Sequence, residues 1–483
     1  MRHLLAAIGV ACAGALTGWQ PDTVTITNVA VIDGTGAPAR LANVTVQNGL
    51  IAAISAASST AGGTAIDGSG KFLIPGLWDM HVHLATRPES ELAERIMLPL
   101  FLANGVVGVR DMGGRLERVL ELREKVASGI LAGPRIITPG PFVDGPGEAD
   151  PLFRRPADAA AAASTVSELL GKKVDFIKVQ SALAPEVHAA VARAAREAHA
   201  AFAGHIPISM SAEQAIAAGQ RSLEHLSPAL VGDGMLLFAC STSSEPLLAE
   251  LRAIERDRAA AEAGAIAERE HALRQKLVET YYAGKARALG RSMKERDVWV
   301  VPTLVWSATL RPLDRNKDGS DLPMQFVPSA LRTRWMDRRK QYIARQTDAG
   351  FAAAASLAAT AARAVRDLRD GGAKVLAGTD AFDAFVLPGH SLHQELQLLV
   401  SAGFSPLEAL QAATKTAAAY RGTSSSEGTI ERGKRADLVL LDADPSRDIA
   451  NARRIHGVVV GGQWHSRTQL DRMMDEVKAF ASR

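Results

Sequence analysis

Cysteine is almost missing from this chain: its 483 residues contain two, Cys12 and Cys240. That excludes a disulfide framework and a zinc site built from thiolates. Aromatic residues are few, at 5%, and no block of one charge stands out from a net charge of +3. Nothing therefore points to nucleic acid as a partner. Beyond the first residues, no apolar run is long enough to span a membrane. What is present is an ordinary globular composition, 47% hydrophobic and 22% charged, with plentiful alanine and glycine.

The N-terminus is the exception. Arg2 and His3 precede an apolar run from Leu4 to Leu16, and small residues recur as Ala11-Cys12-Ala13 and Ala13-Gly14-Ala15. This pattern predicts a secretory signal peptide over residues 1–18 and an exported protein, periplasmic or secreted. Lipoprotein processing at Cys12 ranks second, because Gly9 stands where a larger aliphatic residue is expected. Cys240 is then left alone and reads as a small buried apolar side chain.

Both ends of the remaining chain alternate apolar and polar residues between turns, as in Val24-Thr-Ile-Thr-Asn-Val and Ile455-His-Gly-Val-Val-Val. They predict short strands. The expectation is a small β-sandwich formed from both ends, residues 19–71 and 420–466, followed by a C-terminal helix over 467–483. The middle, 72–419, alternates short apolar strands with Ala-rich helical segments. Candidate strands are Leu73 to His81, Val106 to Asp111, Arg135 to Pro139, Phe176 to Gln180, Ala201 to His205, Ser222 to His225, Val298 to Leu304 and Lys374 to Asp380. Eight such units predict an α/β fold, a (β/α)8 TIM barrel. Two segments, 232–296 and 307–372, are longer than a barrel helix requires. They read either as a lid over the barrel mouth or as an exposed helical hairpin or oligomer contact.

Active sites of such barrels lie at the C-terminal ends of the strands. There the chain places His81 and His83, which point the same way because alternate strand residues do. Lys178 stands inside an apolar strand, where an ammonium is costly to bury. Carbamylation would turn its amine into an anionic oxygen ligand. His205, His225 and Asp380 end later strands. One histidine of this kind is usually structural, whereas six candidate ligands at the ends of the right strands point to a metal site.

The pattern His81-x-His83, Lys178, His205, His225, Asp380 resembles the amidohydrolase superfamily in its two-metal form. Ile74-Pro-Gly-Leu-Trp-Asp-Met-His81, Ala402-Gly-Phe-Ser-Pro-Leu-Glu-Ala-Leu and Gly428-Thr-Ile-Glu-Arg-Gly-Lys-Arg-Ala-Asp437 are similar too, most of all to the imidazolonepropionase-like and Xaa-Pro dipeptidase-like branch. The resemblance implies two divalent metal ions, zinc above all, sharing a hydroxide. His81, His83 and Asp380 would hold one, His205 and His225 the other, and carboxylated Lys178 would bridge them. It implies Asp380 as the catalytic proton carrier and a small-molecule substrate, a dipeptide or N-acyl amino acid. A lactone, ester or phosphotriester is the alternative. It also implies a homo-oligomer. A deaminase or a non-catalytic relative fits less well, because Lys178 and all six ligands are retained.

Two further residues are candidates for substrate binding. His390 follows the last strand closely enough to face the pocket, or it faces solvent at a helix start. Arg110 could meet a substrate carboxylate, or it forms a structural ion pair. His188 and His199, on an Ala-rich helical stretch, read as surface residues, and His393 as structural.

Overall fold

The computed structural model of the protein describes residues 23–59, 63–86, 91–226, 234–310 and 322–483. The expected signal peptide and the Trp19–Asp22 segment behind it lie outside the described residues.

Short apolar runs separated by helices cannot pair with their sequence neighbours as hairpins, so they pair in parallel with helical crossovers. Eight do so: Leu77–Val82, Val106–Asp111, Arg135–Ile137, Ile177–Val179, Phe202–Gly204, Ser222–Glu224, Trp299–Val301 and Lys374–Val375. The first three pair in order, as do the last five. The third meets the fourth where Asp175 N donates to Thr138 O at 2.8 Å. The eighth returns to the first through Met80 N to Ala377 O, 2.9 Å, and a parallel bridge between Val82 and Ala381. The barrel is thus closed, and these strands are buried almost throughout, as parallel strands covered on both faces should be.

The first barrel strand starts at Leu77, not at Leu73 as expected. Gly76 separates two strands there, because a Cβ at that position would run into the side chain of Val107. The preceding residues, Phe72–Pro75, leave the barrel and pair with Leu438–Leu441 on one side and Val24–Val31 on the other. That strand joins the two ends of the chain. The strands of both ends therefore lie in one eight-stranded sheet, ordered Gln463–Ser466, Ile455–Val460, Leu438–Leu441, Phe72–Pro75, Val24–Val31, Arg40–Gln47, Leu50–Ser55, with Thr64–Asp67 on Val24–Val31. The expectation was a small β-sandwich formed from both ends. One apolar layer, including Ile26, Val44, Leu73 and Leu440, fills it. The C-terminal helix, Arg467–Ala481, starts on a capping box between Ser466 and Gln469 and packs against Leu98–Ala103.

The long segments are helical. Helices Ser244–Asp257, Ala263–Glu279 and Ala283–Glu295 belong to the first, and Leu304–Leu310, Ser329–Arg345 and Asp348–Gly371 to the second. Asp348–Gly371 packs on Ala263–Glu279 and Ala283–Glu295. It stops at Gly372, whose φ of 106° suits glycine. The parts of these segments at 232–233 and 311–321 lie outside the described residues.

Two histidine expectations divide. His199 is exposed, whereas His188 is fully buried on the inner face of Pro185–Glu197, its Nε2 3.1 Å from Gln220 Oε1. An Ala-rich helix hides its buried face from composition alone. Cys240 is buried, and burial pushes its thiol up to about 12.

Candidate metal centre

The ends of the strands carry four histidines, and each is gripped through Nδ1 by a protein oxygen. His81 Nδ1 lies 2.9 Å from Glu224 Oε2, His83 Nδ1 3.0 Å from Gly113 O, His205 Nδ1 2.8 Å from Ser181 Oγ and His225 Nδ1 2.7 Å from Thr303 Oγ1. Such outer partners fix the ring and its tautomer for a metal ligand. The Asp380 carboxylate reaches three of the rings at their other nitrogen: 3.5 Å from His81 Nε2, 3.1 Å from His83 Nε2 and 3.8 Å from His225 Nε2. The rings of His205 and His225 stand 4.9 Å apart. Lys178 belongs to the same group, because its charge acts on His205, His81 and His225. Its chain runs past Gly204, where a Cβ would lie 2.8 Å from Lys178 Cδ. The four histidines and Asp380 therefore converge, with Lys178 on the strand next to that of His205.

Burial pushes His81, His205 and His225 down, the last to about 3, so these rings are neutral near pH 7. Burial acts the same way on His83, but the adjacent Asp380 carboxylate outweighs it and raises the ring. Asp380 lies well below the ordinary carboxylate range: burial opposes this, and the surrounding imidazoles prevail. Neutral imidazole and ionised carboxylate are the forms that bind metal. The atom that tests the fit is His81 Nε2, which is buried without a hydrogen-bond partner among the described residues. A divalent cation there would satisfy it, and nitrogen with carboxylate oxygen is a donor set that zinc accepts.

Backbone geometry aims the ligands. Asp380 has φ +69° and His225 φ +61°, left-handed conformations that turn the chain sharply where the strands end. Asp79 Oδ1 accepts from the backbone N–H of His81 at 3.2 Å and of Thr379 at 3.0 Å, and so ties the first strand to the eighth. Asp111 accepts from Leu84 N at 2.8 Å and from Thr138 Oγ1 at 2.8 Å.

Over the centre opens a cavity of about 250 Å³, with Phe142, Trp306, Phe382, Gln180 and Asp383 in its wall. Phe142 comes from the Gly140-Pro-Phe-Val turn, which forms a short strand beside Ile177–Val179. Among the described residues neither long segment reaches this wall; Trp306, just before the second, does. Its ring stands 4.6 Å from that of His225, and its Nε1 donates to Asp383 Oδ2 at 2.9 Å.

Glu395 holds the start of the helix that carries Trp306, accepting from Leu304 N at 3.1 Å and Val305 N at 2.7 Å. Burial outweighs these bonds and raises its carboxyl from 4.5 to about 8. Between those values the folded protein keeps a proton that the unfolded chain has lost, so this group costs stability as pH rises through that window. Glu395→Gln is expected to remove that slope. Relative to the wild type, its unfolding free energy in urea should be higher at about pH 9 than at about pH 5. A difference that does not change with pH would refute it.

Two expected substrate contacts fall elsewhere. Arg110 is fully buried, beneath the centre rather than in the cavity wall. Its Nε donates to Met80 O at 2.6 Å, Nη1 to Ser222 Oγ and Tyr420 Oη at 2.9 Å each, and Nη2 to Glu224 at 2.8 and 2.9 Å. With its donors so engaged it is the structural ion pair, not a substrate anchor. His390 opens the helix His390–Ser401 and is not in the cavity wall. Its neighbour His393 bonds Asn104 O at 3.0 Å.

The sequence reading passed over Glu224. This carboxylate is fully buried, is held ionised by Arg110 and His81 against its burial, and orients His81. Its signal was available: Ser222 and Glu224 alternate onto the barrel interior, and Glu224 directly precedes His225. Ser181 and Thr303 lie in loops after strands and Trp306 in the short helix Leu304–Leu310 that follows one, where spacing predicts nothing.

A closed parallel barrel carrying buried histidines and an aspartate at its C-terminal edge defines the class, a barrel hydrolase built to hold metal. The Amidohydrolase family model matches residues 72–465, and the chain belongs to that family. Among solved structures it is similar to a bottromycin amidohydrolase, with 24% identity and a TM-score of 0.73 over 96% of this chain and 91% of that one. A Xaa-Pro dipeptidase with bound methionine matches with 19% identity and a TM-score of 0.64 over 92% of this chain and 100% of that one. An A. niger ochratoxinase matches with 18% identity and a TM-score of 0.60 over 92% and 96%. Likeness at these identities shows the shared fold. No curated protein sequence matches the chain.

Proposed function

We propose that this protein hydrolyses the amide bond of small substrates, dipeptides or N-acyl amino acids, at a centre of two divalent cations. The observation that carries this reading is the set of four imidazoles, each anchored through Nδ1, around one ionised carboxylate. His81, His83 and Asp380 would hold one cation, His205 and His225 the other, with Lys178 between them. An ammonium at Lys178 repels protons from three neighbouring imidazoles. Carbamylation, in which Nζ bonds the carbon of CO2 and releases a proton, would replace that cation with an anionic ligand. When bound, the cations supply Lewis acidity that lowers the pKa of water and polarises a carbonyl.

The protein's own groups do the rest. Asp380 accepts the proton of the attacking water at a carboxylate oxygen. As the C–N bond breaks and its electron pair stays on nitrogen, Asp380 returns that proton to the leaving amine. Phe142, Trp306 and Phe382 give the cavity wall an apolar part against which a substrate side chain would pack. The likeness to a Xaa-Pro dipeptidase and to a bottromycin amidohydrolase agrees with this substrate class.

Elemental analysis of the wild type and Lys178→Ala, each assayed against dipeptides, N-acyl amino acids and lactones, tests it. About two metals per wild-type chain are expected, with loss of metal and turnover in the variant. About one metal per chain, unchanged in Lys178→Ala, would overturn the bridged centre, and turnover of lactones alone would overturn the amide reading.

A further inference from the structure

The cavity over the histidines is lined by a carboxylate that the proposed centre does not use, Asp383. Its backbone N–H donates to Asp380 O at 3.1 Å, so one tight turn brings both acids to the same wall. Their partners differ. Asp380 pairs with the imidazoles, whereas Asp383 Oδ2 accepts from Trp306 Nε1 at 2.9 Å and Oδ1 from Ala384 N at 2.7 Å.

Both partners of Asp383 are neutral. Among the described residues no lysine or arginine pairs with it, and none lines the cavity. Asp383 is also partly exposed, unlike the sealed pair of Arg110 and Glu224 beneath the centre. A carboxylate offers about four acceptor sites. Two are taken, so Asp383 keeps the capacity to accept from a ligand in the cavity it lines. The same wall carries the rings of Phe142 and Trp306 and the neutral polar groups of Thr86 and Gln180. Such a wall is met best by a ligand that bears a cationic donor beside an apolar group.

We propose that Asp383 anchors the α-ammonium of the substrate, so that the enzyme acts on dipeptides with a free amino terminus in preference to N-acyl amino acids. This rests on the amide-hydrolase reading and narrows it. The short span favours the α-ammonium over a more distant cation. In a dipeptide the amino nitrogen is one carbon away from the scissile carbonyl, and the turn that carries Asp380 also carries Asp383. The first side chain of the dipeptide packs on Phe142 and Trp306. Asp383 binds and orients, and the proton transfers stay with Asp380.

Two pairs of probes, each differing at the ammonium, test this on the metal-loaded enzyme. L-phenylalanyl-glycine and 3-phenylpropanoyl-glycine are compared as substrates. As ligands, 2-phenylethylammonium and 2-phenylethanol are compared by calorimetry, which needs no turnover. The dipeptide is expected to have a kcat/KM at least about tenfold higher, and the ammonium to bind at least about tenfold tighter than the alcohol, as a hydrogen bond between charged groups allows. Asp383→Asn keeps the shape and an acceptor for Trp306 Nε1, and should bring both ratios to within about threefold of one. Equal binding of the two ligands to the wild type would overturn the proposal, whether or not the variant folds. An ammonium preference that persists in Asp383→Asn would overturn it too, since the amine would then sit on the cations. Equal turnover of the two substrates would overturn it and leave the amide reading standing. Turnover of neither, with a ligand preference that Asp383→Asn abolishes, would overturn the amide reading and uphold Asp383 as the ammonium anchor.

Discussion

Asp380→Asn is expected to lower kcat by about 10³–10⁴-fold on whichever amide the enzyme turns over, with the fold intact. The reason is positional. Asp380 is the carboxylate that touches His81, His83 and His225 together, and those rings keep it ionised, ready to accept a proton. Asparagine preserves the shape but neither accepts the proton nor carries the charge. Metal content measured beside kcat separates the two consequences: retained metal with lost turnover identifies the proton carrier, and lost metal identifies the ligand. A variant within about tenfold of wild-type kcat would show that neither role belongs to Asp380.

Arg110→Met is expected to destabilise the protein by about 3–5 kcal/mol, although Arg110 touches no part of the cavity over the histidines. Removing the guanidinium leaves Glu224 as a fully buried carboxylate whose neutralising partner is gone. Glu224→Gln in the same chain removes the stranded charge, so the double variant should recover part of that loss. Urea unfolding of the four proteins measures the coupling. A loss below about 1 kcal/mol for Arg110→Met would mean that water or a rearranged neighbour reaches Glu224, and the packing described here would be wrong.

The candidate ligands were legible because the physics of strands makes them so. His81 and His83 alternate onto one side, and Lys178 is out of place in an apolar strand. His205, His225 and Asp380 each follow a recognisable strand. The barrel was legible for the same reason, since buried parallel strands must read as short apolar runs. Residues whose roles depend on distant partners were not. Nothing local separates His188, buried against Gln220, from His199, exposed at a helix end. Nothing local shows that Arg110 turns toward Glu224, 114 positions away, rather than toward a ligand.

The sequence by itself therefore determined the class of fold, the histidines and aspartate gathered at its mouth and the family to which the chain belongs, because period, strand position and motif are local properties. Tertiary structure alone decided which oxygen grips each imidazole, that Phe72–Pro75 joins the two chain ends in one sheet, and that Trp306 enters the cavity wall. These are outcomes of long-range packing, in which burial sets the cost of each unpaired charge and only the assembled neighbours determine whether it is met.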